Sequence, residues 1–170
     1  AEREVLKARE PEARTRSDYE DMYALYAERR DQANTGKVVI KGSERPWHQG
    51  RQGLLKYFLS HSTKDVAVTN WTFFIHDIRS HSGRHRHQGG LAIYVIEGRG
   101  WTTVDGVRYD WEEGDLLLLP IKPGGVEHQH FNAEQDKPCK WLAMIYTHFG
   151  ESTGSQMEQK EASPAWQEHA

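Results

Sequence analysis

Hydrophobic and polar positions follow two different periods along the chain, one before and one after residue 37. In the first part, large apolar residues recur at the spacing of one helix face. These residues are Tyr19, Met22, Tyr23 and Tyr26. Ser17 followed three positions later by Glu20 forms a capping box that starts a helix, and Gly36 can end it. The sequence therefore predicts an N-terminal helical extension over residues 1–36, whose aromatic stripe packs against the rest of the fold or a neighbouring subunit.

From residue 37 onward, short runs of β-branched and aromatic residues alternate with turn-forming residues, a pattern typical of strands. The predicted strands are Val38–Lys41, Leu54–Leu59, Val66–Ile78, Leu91–Ile96, Trp101–Val104, Val107–Trp111, Leu116–Leu119, Val126–Phe131 and Trp141–His148. Asp105-Gly106 separates two of these runs and predicts a two-residue hairpin turn. Many short strands predict an all-β sandwich or barrel over residues 37–150. Residues 151–170 form a polar tail that we expect to be poorly ordered.

Composition and charge exclude several classes of partner. The net charge of −3 and the scattered basic residues give no reason to expect nucleic acid. No apolar run approaches the ~20 residues that span a bilayer, and the start, AEREVLKARE, has no apolar core of a signal peptide. The single cysteine, Cys139, fits a reducing compartment. We therefore expect a cytoplasmic protein with a small-molecule partner and neither nucleic acid nor membrane.

Histidine is the residue that points to chemistry, because several of the ten histidines fall within two short stretches. Residues two apart in a strand point to the same face, so His85 and His87 can reach one point. His128 and His130 form a second such pair. Two strands that each present inward imidazoles can build a metal site, and imidazole favours Fe, Ni, Cu or Zn over Mg and Ca. The alternative is that these are surface or hydrogen-bonded core histidines.

At this point the sequence resembles the two motifs of the cupin superfamily. The first motif corresponds to HRHQGGLAIYVIEG at residues 85–98. The second runs from Gly114-Asp115 through Pro123-Gly124-Gly125 to His128 and Asn132. The resemblance implies a cupin jelly-roll β-barrel that follows the helical extension. It also implies one divalent transition metal on His85, His87 and His128, at least a homodimer, and a rim that is altered by a longer loop between residues 114 and 123.

One departure from the family motif narrows the function. The glutamate that usually ligates the metal is absent; Leu91 stands at its position, and Glu97 lies too far along to replace it. Three-histidine sites of this kind resemble gentisate-type, diketone-cleaving and thiol dioxygenases. The resemblance implies an Fe(II) dioxygenase that uses O2 to cleave a small anionic, chelating substrate such as a phenolic acid or a diketone. Mn, Ni, Cu and Zn remain alternatives for the metal, and a non-oxidative lyase, isomerase or binding protein remains an alternative for the function.

Strand alternation also suggests which side chains surround the metal. His130 points inward, where it is a candidate catalytic acid or base, a fourth ligand, or a hydrogen-bond partner of a bound ligand or of Asn132. Leu91 should lie beside the metal, and His76 and His81 are candidates for its surroundings. By alternation, four further side chains face into the barrel, where they either line the pocket or simply fill the core: Phe73, Ile75, Ile93 and Val95.

Overall fold

The computed structural model describes residues 17–166 and contains two helices and eleven strands in that range. The helices are α1 (Asp18–Thr35) and α2 (Thr147–Ser152), and a short 3-10 turn covers Gly42–Glu44. The strands are β1 (His48–Gly50), β2 (Gly53–Leu59), β3 (Trp71–Asp77), β4 (Arg84–His87), β5 (Leu91–Glu97), β6 (Arg99–Val104), β7 (Val107–Glu112), β8 (Leu116–Leu119), β9 (Val126–Asn132), β10 (Lys140–Tyr146) and β11 (Glu158–Glu161). None of the helices in this range is long and apolar enough to cross a membrane.

The strands form two antiparallel sheets, as expected for an all-β jelly roll. One sheet has the order β1-β2-β3-β10-β5-β8 and the other β11-β4-β9-β6-β7. Side chains from both sheets meet in one apolar core. Its members are Ile78, Leu91, Ile93, Val95, Val104, Trp111, Leu119, Val126, Cys139, Trp141 and Ala143. The predicted fold class is confirmed.

Turn chemistry places the β6–β7 hairpin where the sequence predicts it. Asp105 and Gly106 both have positive φ, 49° and 82°, so the two-residue turn twists in the direction of its strands. Thr102 consequently lies opposite Tyr109, and Gly100 lies opposite Trp111. A Cβ on Gly100 would come within 2.6 Å of the Trp111 ring, so the glycine leaves room for the indole to lie across β6.

Three predicted strands differ from the structure. The run Trp141–His148 ends as a strand at Tyr146, where α2 follows. Val38–Lys41 is not a strand, because only Lys37 forms a single bridge, to Val66, before the chain enters the 3-10 turn. The long run Val66–Ile78 contains the shorter strand β3, which begins at Trp71. A further difference concerns the polar tail. β11 pairs with β4 through main-chain hydrogen bonds, so the expectation of poor order beyond Gly150 is wrong for residues 158–161.

Helix α1 begins at the predicted capping box, in which Ser17 and Glu20 bond to each other's backbone amide. None of its residues is buried. The Nε2 of Gln32 donates to the Val66 carbonyl at 3.1 Å and ties the last turn to the barrel. The predicted packing of the aromatic stripe against the barrel is therefore wrong. The alternative, contact with a neighbouring subunit, stays a prediction; residues 1–16 of the predicted extension lie outside the described residues.

The outer surface of the six-stranded sheet carries exposed apolar residues at its edge. Leu116 and Leu118 on edge strand β8 are 56% and 63% exposed, and Leu116 lies beside the exposed Tyr94 of β5. Apolar edge strands are usually covered. We therefore expect a dimer at micromolar concentration by light scattering.

Two variants test the predicted dimer, one with charges on the six-stranded sheet and a control with a charge on the five-stranded sheet. Leu116→Lys with Leu118→Lys should give monomers, because it charges the proposed interface. Val107→Lys, at an exposed valine of the other sheet, should leave the dimer intact. A monomeric parent protein would contradict the prediction.

Candidate metal centre

Strands β4 and β9 bring three histidines together inside the barrel. They are neighbours in the five-stranded sheet, and His85 lies directly opposite His128. The ring of His128 lies 4.3 Å from the ring of His85 and 4.7 Å from that of His87, measured between centroids. One nitrogen of each ring lies within 4.8 Å of the other two. The structure thus brings together the three residues that the sequence predicts as metal ligands.

Main-chain carbonyls fix the tautomer of all three imidazoles. The Nδ1 of His85 donates to the Gly83 carbonyl at 3.0 Å, that of His87 to the Gln88 carbonyl at 2.6 Å and that of His128 to the Val126 carbonyl at 3.1 Å. A carbonyl can only accept, so each Nδ1 carries the hydrogen and each Nε2 keeps its lone pair. Donation of the other ring nitrogen to the protein is the usual arrangement of a metal-ligating histidine.

Burial keeps these rings neutral. It lowers the pKa of His85 to about 4 and that of His128 to about 2, with the neighbouring histidines adding repulsion, and it also lowers the pKa of His87. A neutral imidazole is the form that binds a metal. Three neutral nitrogen donors without a carboxylate fit a divalent transition metal and do not fit Mg or Ca.

The triad forms part of the wall of a cavity of about 570 Å³ between the two sheets. The facing sheet contributes Leu91 and Ile93 from β5 and Trp141 from β10. Leu91 therefore lines the cavity as the sequence predicts, but it does so from the opposite sheet and not from the face that carries the histidines. Leu91, which the motif count places at the position of the family's glutamate, is a buried apolar side chain.

The orientation predicted for β3 is wrong by one residue. Phe74 and His76 line the cavity, whereas Phe73 and Ile75, the predicted pair, lie on the other face of the strand. Val95 packs in the core and not on the cavity wall. The cause is that β3 is apolar on both faces, so alternation alone cannot indicate which face is inside.

His76 and His81 differ in their relation to the site. His76 is buried, lines the cavity and packs edge-on against Trp141 at 4.9 Å between ring centroids. His81 lies outside the cavity, where its Nδ1 is 3.1 Å from the Nε2 of Gln129. Of these two predicted neighbours, the structure therefore brings only His76 to the cavity.

His76 should make the metal-free protein sensitive to acid. Burial and the nearby His85 lower its pKa from 6.5 to about 3, so the unfolded chain binds one more proton between these pH values. The folded state consequently loses about 1.4 kcal/mol per pH unit as the pH falls below 6.5. We predict that His76→Leu recovers ~2 kcal/mol of the loss between pH 8 and pH 5, measured by urea unfolding. His61→Leu, at an exposed histidine, is the control and should recover none; an equal response of both variants would contradict the prediction.

His130 is fully enclosed, and its partners are not the predicted ones. Its Nδ1 lies 2.7 Å from the Oγ1 of Thr102 on β6. Asn132 instead donates to the carbonyls of Ile78 and Lys137 and holds the end of β9. The hydrogen bond between His130 and Asn132 that the sequence suggests is therefore absent among the described residues.

The wall of the cavity contains a positive charge that sequence reasoning missed. Among the described residues that line the cavity, Arg45 is the only Arg or Lys, and none is Asp or Glu. The Nη2 of Arg45 contacts Asp65 at 3.0 Å, whereas its Nε is buried and has no hydrogen-bond partner in the described part of the chain. Arg45 lies in a loop without periodicity, so no pattern in the sequence marks it.

Comparison with known proteins agrees with this geometry. Residues 76–145 match the family described as the cupin domain. Over 59 residues the chain is 44% identical to a gentisate 1,2-dioxygenase of a Streptomyces species, and the matched segment covers 34% of this chain and 15% of that protein. Over 52 residues it is 35% identical to a 5-aminosalicylate 1,2-dioxygenase of a Comamonas species, and this segment covers 31% of this chain and 13% of that protein. The chain thus spans less than a fifth of the length of these relatives.

Solved structures show the same fold at low sequence identity. A salicylate 1,2-dioxygenase from Pseudoaminobacter salicylatoxidans superposes with a TM-score of 0.50 and 13% identity, over 85% of this chain and 36% of that one. The Streptomyces protein Pac13, a nucleoside dehydratase, superposes with a TM-score of 0.53 and 11% identity, over 75% and 94%. Residues 76–145 thus match the cupin-domain family, and the solved structures have the same fold.

Proposed function

We propose that this chain is an Fe(II)-dependent cupin dioxygenase that uses O2 to cleave a small anionic, chelating substrate such as a phenolic acid or a diketone. The observation that carries the proposal is a ligand set of three neutral imidazoles, with Leu91 where a carboxylate would stand. Iron(II) bound by three neutral imidazoles would keep its full charge and would supply a centre at which a chelating anion and O2 could react. The relatives named gentisate 1,2-dioxygenase and 5-aminosalicylate 1,2-dioxygenase support the same reaction class.

The protein's own residues suit such a substrate. His85, His87 and His128 hold the metal through Nε2 and keep the cavity wall uncharged. Leu91 and Ile93 keep water away from the opposite wall, which strengthens electrostatic attraction inside the cavity. The absence of any carboxylate on the described cavity wall removes a source of repulsion for an anion.

The single cysteine is in keeping with the cytoplasm, which we retain as the proposed compartment.

The test is anaerobic reconstitution with Fe(II), followed by measurement of O2 uptake with phenolic acids, diketones and thiols. We expect the O2 taken up to match the amount of substrate consumed, for a compound of one of these classes. The His128→Ala variant should take up no O2. If the protein binds Fe(II) stoichiometrically but consumes no O2 with any of these compounds, the dioxygenase proposal fails. The non-oxidative alternative, a lyase, an isomerase or a binding protein, would then take its place.

Arg45 is expected to attract the anionic group of the substrate. Arg45→Met should weaken the binding of salicylate to the Co(II)-loaded protein about tenfold, since a hydrogen bond to a charged group contributes about 1.5–3 kcal/mol. The measurement is a titration of the Co(II) absorption spectrum. Lys37→Met is the matched control, because Lys37 contacts the same Asp65 at 3.2 Å but does not line the cavity. Equal weakening by both variants would mean that only the net charge matters.

A further inference from the structure

His130 lies beside the metal centre, but its hydrogen bonding differs from that of the three ligand histidines. Each ligand histidine meets a carbonyl at Nδ1, which can only accept. The Nδ1 of His130 meets a hydroxyl, the Oγ1 of Thr102, at 2.7 Å. A hydroxyl can donate or accept, so the tautomer of His130 depends on what else this hydroxyl contacts.

The second contact of the Thr102 hydroxyl is a donor. The indole Nε1 of Trp111 donates to Thr102 Oγ1 at 2.9 Å, because an indole nitrogen has no lone pair to accept with. Thr102 is completely buried, and Trp111 and His130 are 6% and 2% exposed. Within the described residues, Thr102 Oγ1 has no other hydrogen-bond partner. The only acceptor for the hydrogen of the Thr102 hydroxyl is therefore the Nδ1 of His130.

This geometry disfavours a hydrogen on Nδ1. If Nδ1 carried the hydrogen, Thr102 would receive two donors and its own buried hydrogen would have no acceptor. An unsatisfied buried polar group is costly enough to favour the Nε2–H tautomer over the Nδ1–H tautomer roughly tenfold or more. We infer that the Trp111–Thr102 pair holds His130 as the neutral Nε2–H tautomer, which makes it a hydrogen-bond donor into the cavity.

The assignment decides between the roles considered for His130. An Nε2 that carries a hydrogen has no lone pair, so it is neither a fourth metal ligand nor a general base. His130 lines the cavity, and its Nε2 has no partner among the described residues, so this N–H is available to a bound molecule. The suitable partner is an anionic oxygen, such as a carboxylate or phenolate oxygen of the substrate. This last step rests on the proposed function, whereas the tautomer does not.

Thr102 and Trp111 are accordingly positioning residues that act through His130. Three local features hold the arrangement. Register places Thr102 opposite His130 across β6 and β9, and Gly100 leaves space for the Trp111 ring. The backbone N–H of His130 donates to the Oγ of Ser82 at 2.9 Å, which fixes the strand beneath the ring.

The test is long-range 1H–15N NMR of the imidazoles in the Zn(II)-loaded, diamagnetic protein. We expect His130 to show a protonated Nε2 and a bare Nδ1, while His85, His87 and His128 show protonated Nδ1. A protonated Nδ1 on His130 in the parent protein would overturn the inference without any variant being needed.

Two variants separate positioning from mere packing. Thr102→Val keeps the shape but removes the hydroxyl, so it should shift the tautomer signature of His130, and Thr102→Ser should restore it. If Thr102→Val folds and leaves the Nε2–H signature unchanged, Thr102 does not set the tautomer. Salicylate titration forms a second arm, with an expected loss of about threefold to tenfold in Thr102→Val and recovery in Thr102→Ser. Failure of salicylate to bind the parent would contradict the substrate class alone, since the NMR result still decides the tautomer.

Discussion

His128→Ala is expected to reduce the metal content from near one ion per chain to less than about a tenth of that value. The ring of His128 is central to the triad, with both other rings within 4.7 Å of it. Its removal leaves two donors on β4 and none from β9. Disturbing only the partners of metal ligands already lowers affinity roughly 10–100-fold, and loss of a ligand should lower it further. Elemental analysis after dialysis measures the effect.

A histidine of the same cavity outside the triad provides the control. His61 is exposed and lines the cavity, but it does not belong to the group whose nitrogens converge. His61→Ala should therefore retain the full metal content. If His128→Ala retains as much metal as the parent, the assignment of the centre to β4 and β9 is wrong.

The shared orientation of His85 and His87 could be predicted because it depends on a local rule. In a strand, residues two apart share a face, which holds for His85 and His87 regardless of the rest of the fold. The hairpin at Asp105-Gly106 was likewise predictable, since the turn requires positive φ at both positions. Neither feature needs knowledge of which strands pair.

Other features depend on contacts that the local pattern does not encode. The register of β6 against β9 joins Thr102 to His130 across 28 positions, and nothing in either segment indicates it. The segment 158–161 is polar throughout, so no hydrophobic pattern marks it as a strand. It can still pair with β4, because the main chain makes the contact. Alternation failed in β3 because its outer face is also apolar, so that Phe73 and Phe74 are equally plausible as inward residues.

The prediction for Leu91 depends partly on a local count along the motif and partly on which strands pair. Counting along the resembling motif places it at the position of the family's glutamate, and this stays a prediction, whereas strand parity with His87 gave the right neighbourhood for a wrong reason. β5 belongs to the opposite sheet, so Leu91 faces the triad across the cavity. A carboxylate at this position would therefore approach the centre from the wall that does not carry the histidines.

Leu91→Glu is expected to keep the metal and to lose most of the O2-dependent turnover. A glutamate here supplies a negative donor, which fills a coordination position and reduces the attraction of the centre for an anionic substrate. We expect turnover to fall about 100-fold or more, equivalent to ~2.7 kcal/mol of transition-state stabilisation. The metal content should stay at the parent level, and the metal should bind as tightly as in the parent or more tightly, since a fourth protein ligand is added.

The stability of the same variant provides an independent measurement. Leu91 is 6% exposed, so a glutamate without a metal is a buried, unpaired carboxylate that destabilises the fold by several kcal/mol. Added metal should reverse this loss, because it gives the carboxylate a partner. Urea unfolding with and without Zn(II) should therefore show a larger metal-dependent gain in Leu91→Glu than in the parent.

Leu91→Gln is the matched control for both measurements, since it has the size of glutamate but no charge. It should lower turnover much less than Leu91→Glu and should show no added stabilisation by metal beyond that of the parent. If Leu91→Glu turns over substrate at the parent rate, its side chain does not reach the centre, and the absent carboxylate cannot be what sets this site apart from carboxylate-bearing cupins. If glutamate and glutamine lower turnover equally, the effect is one of packing, because charge is the property in which the two side chains differ.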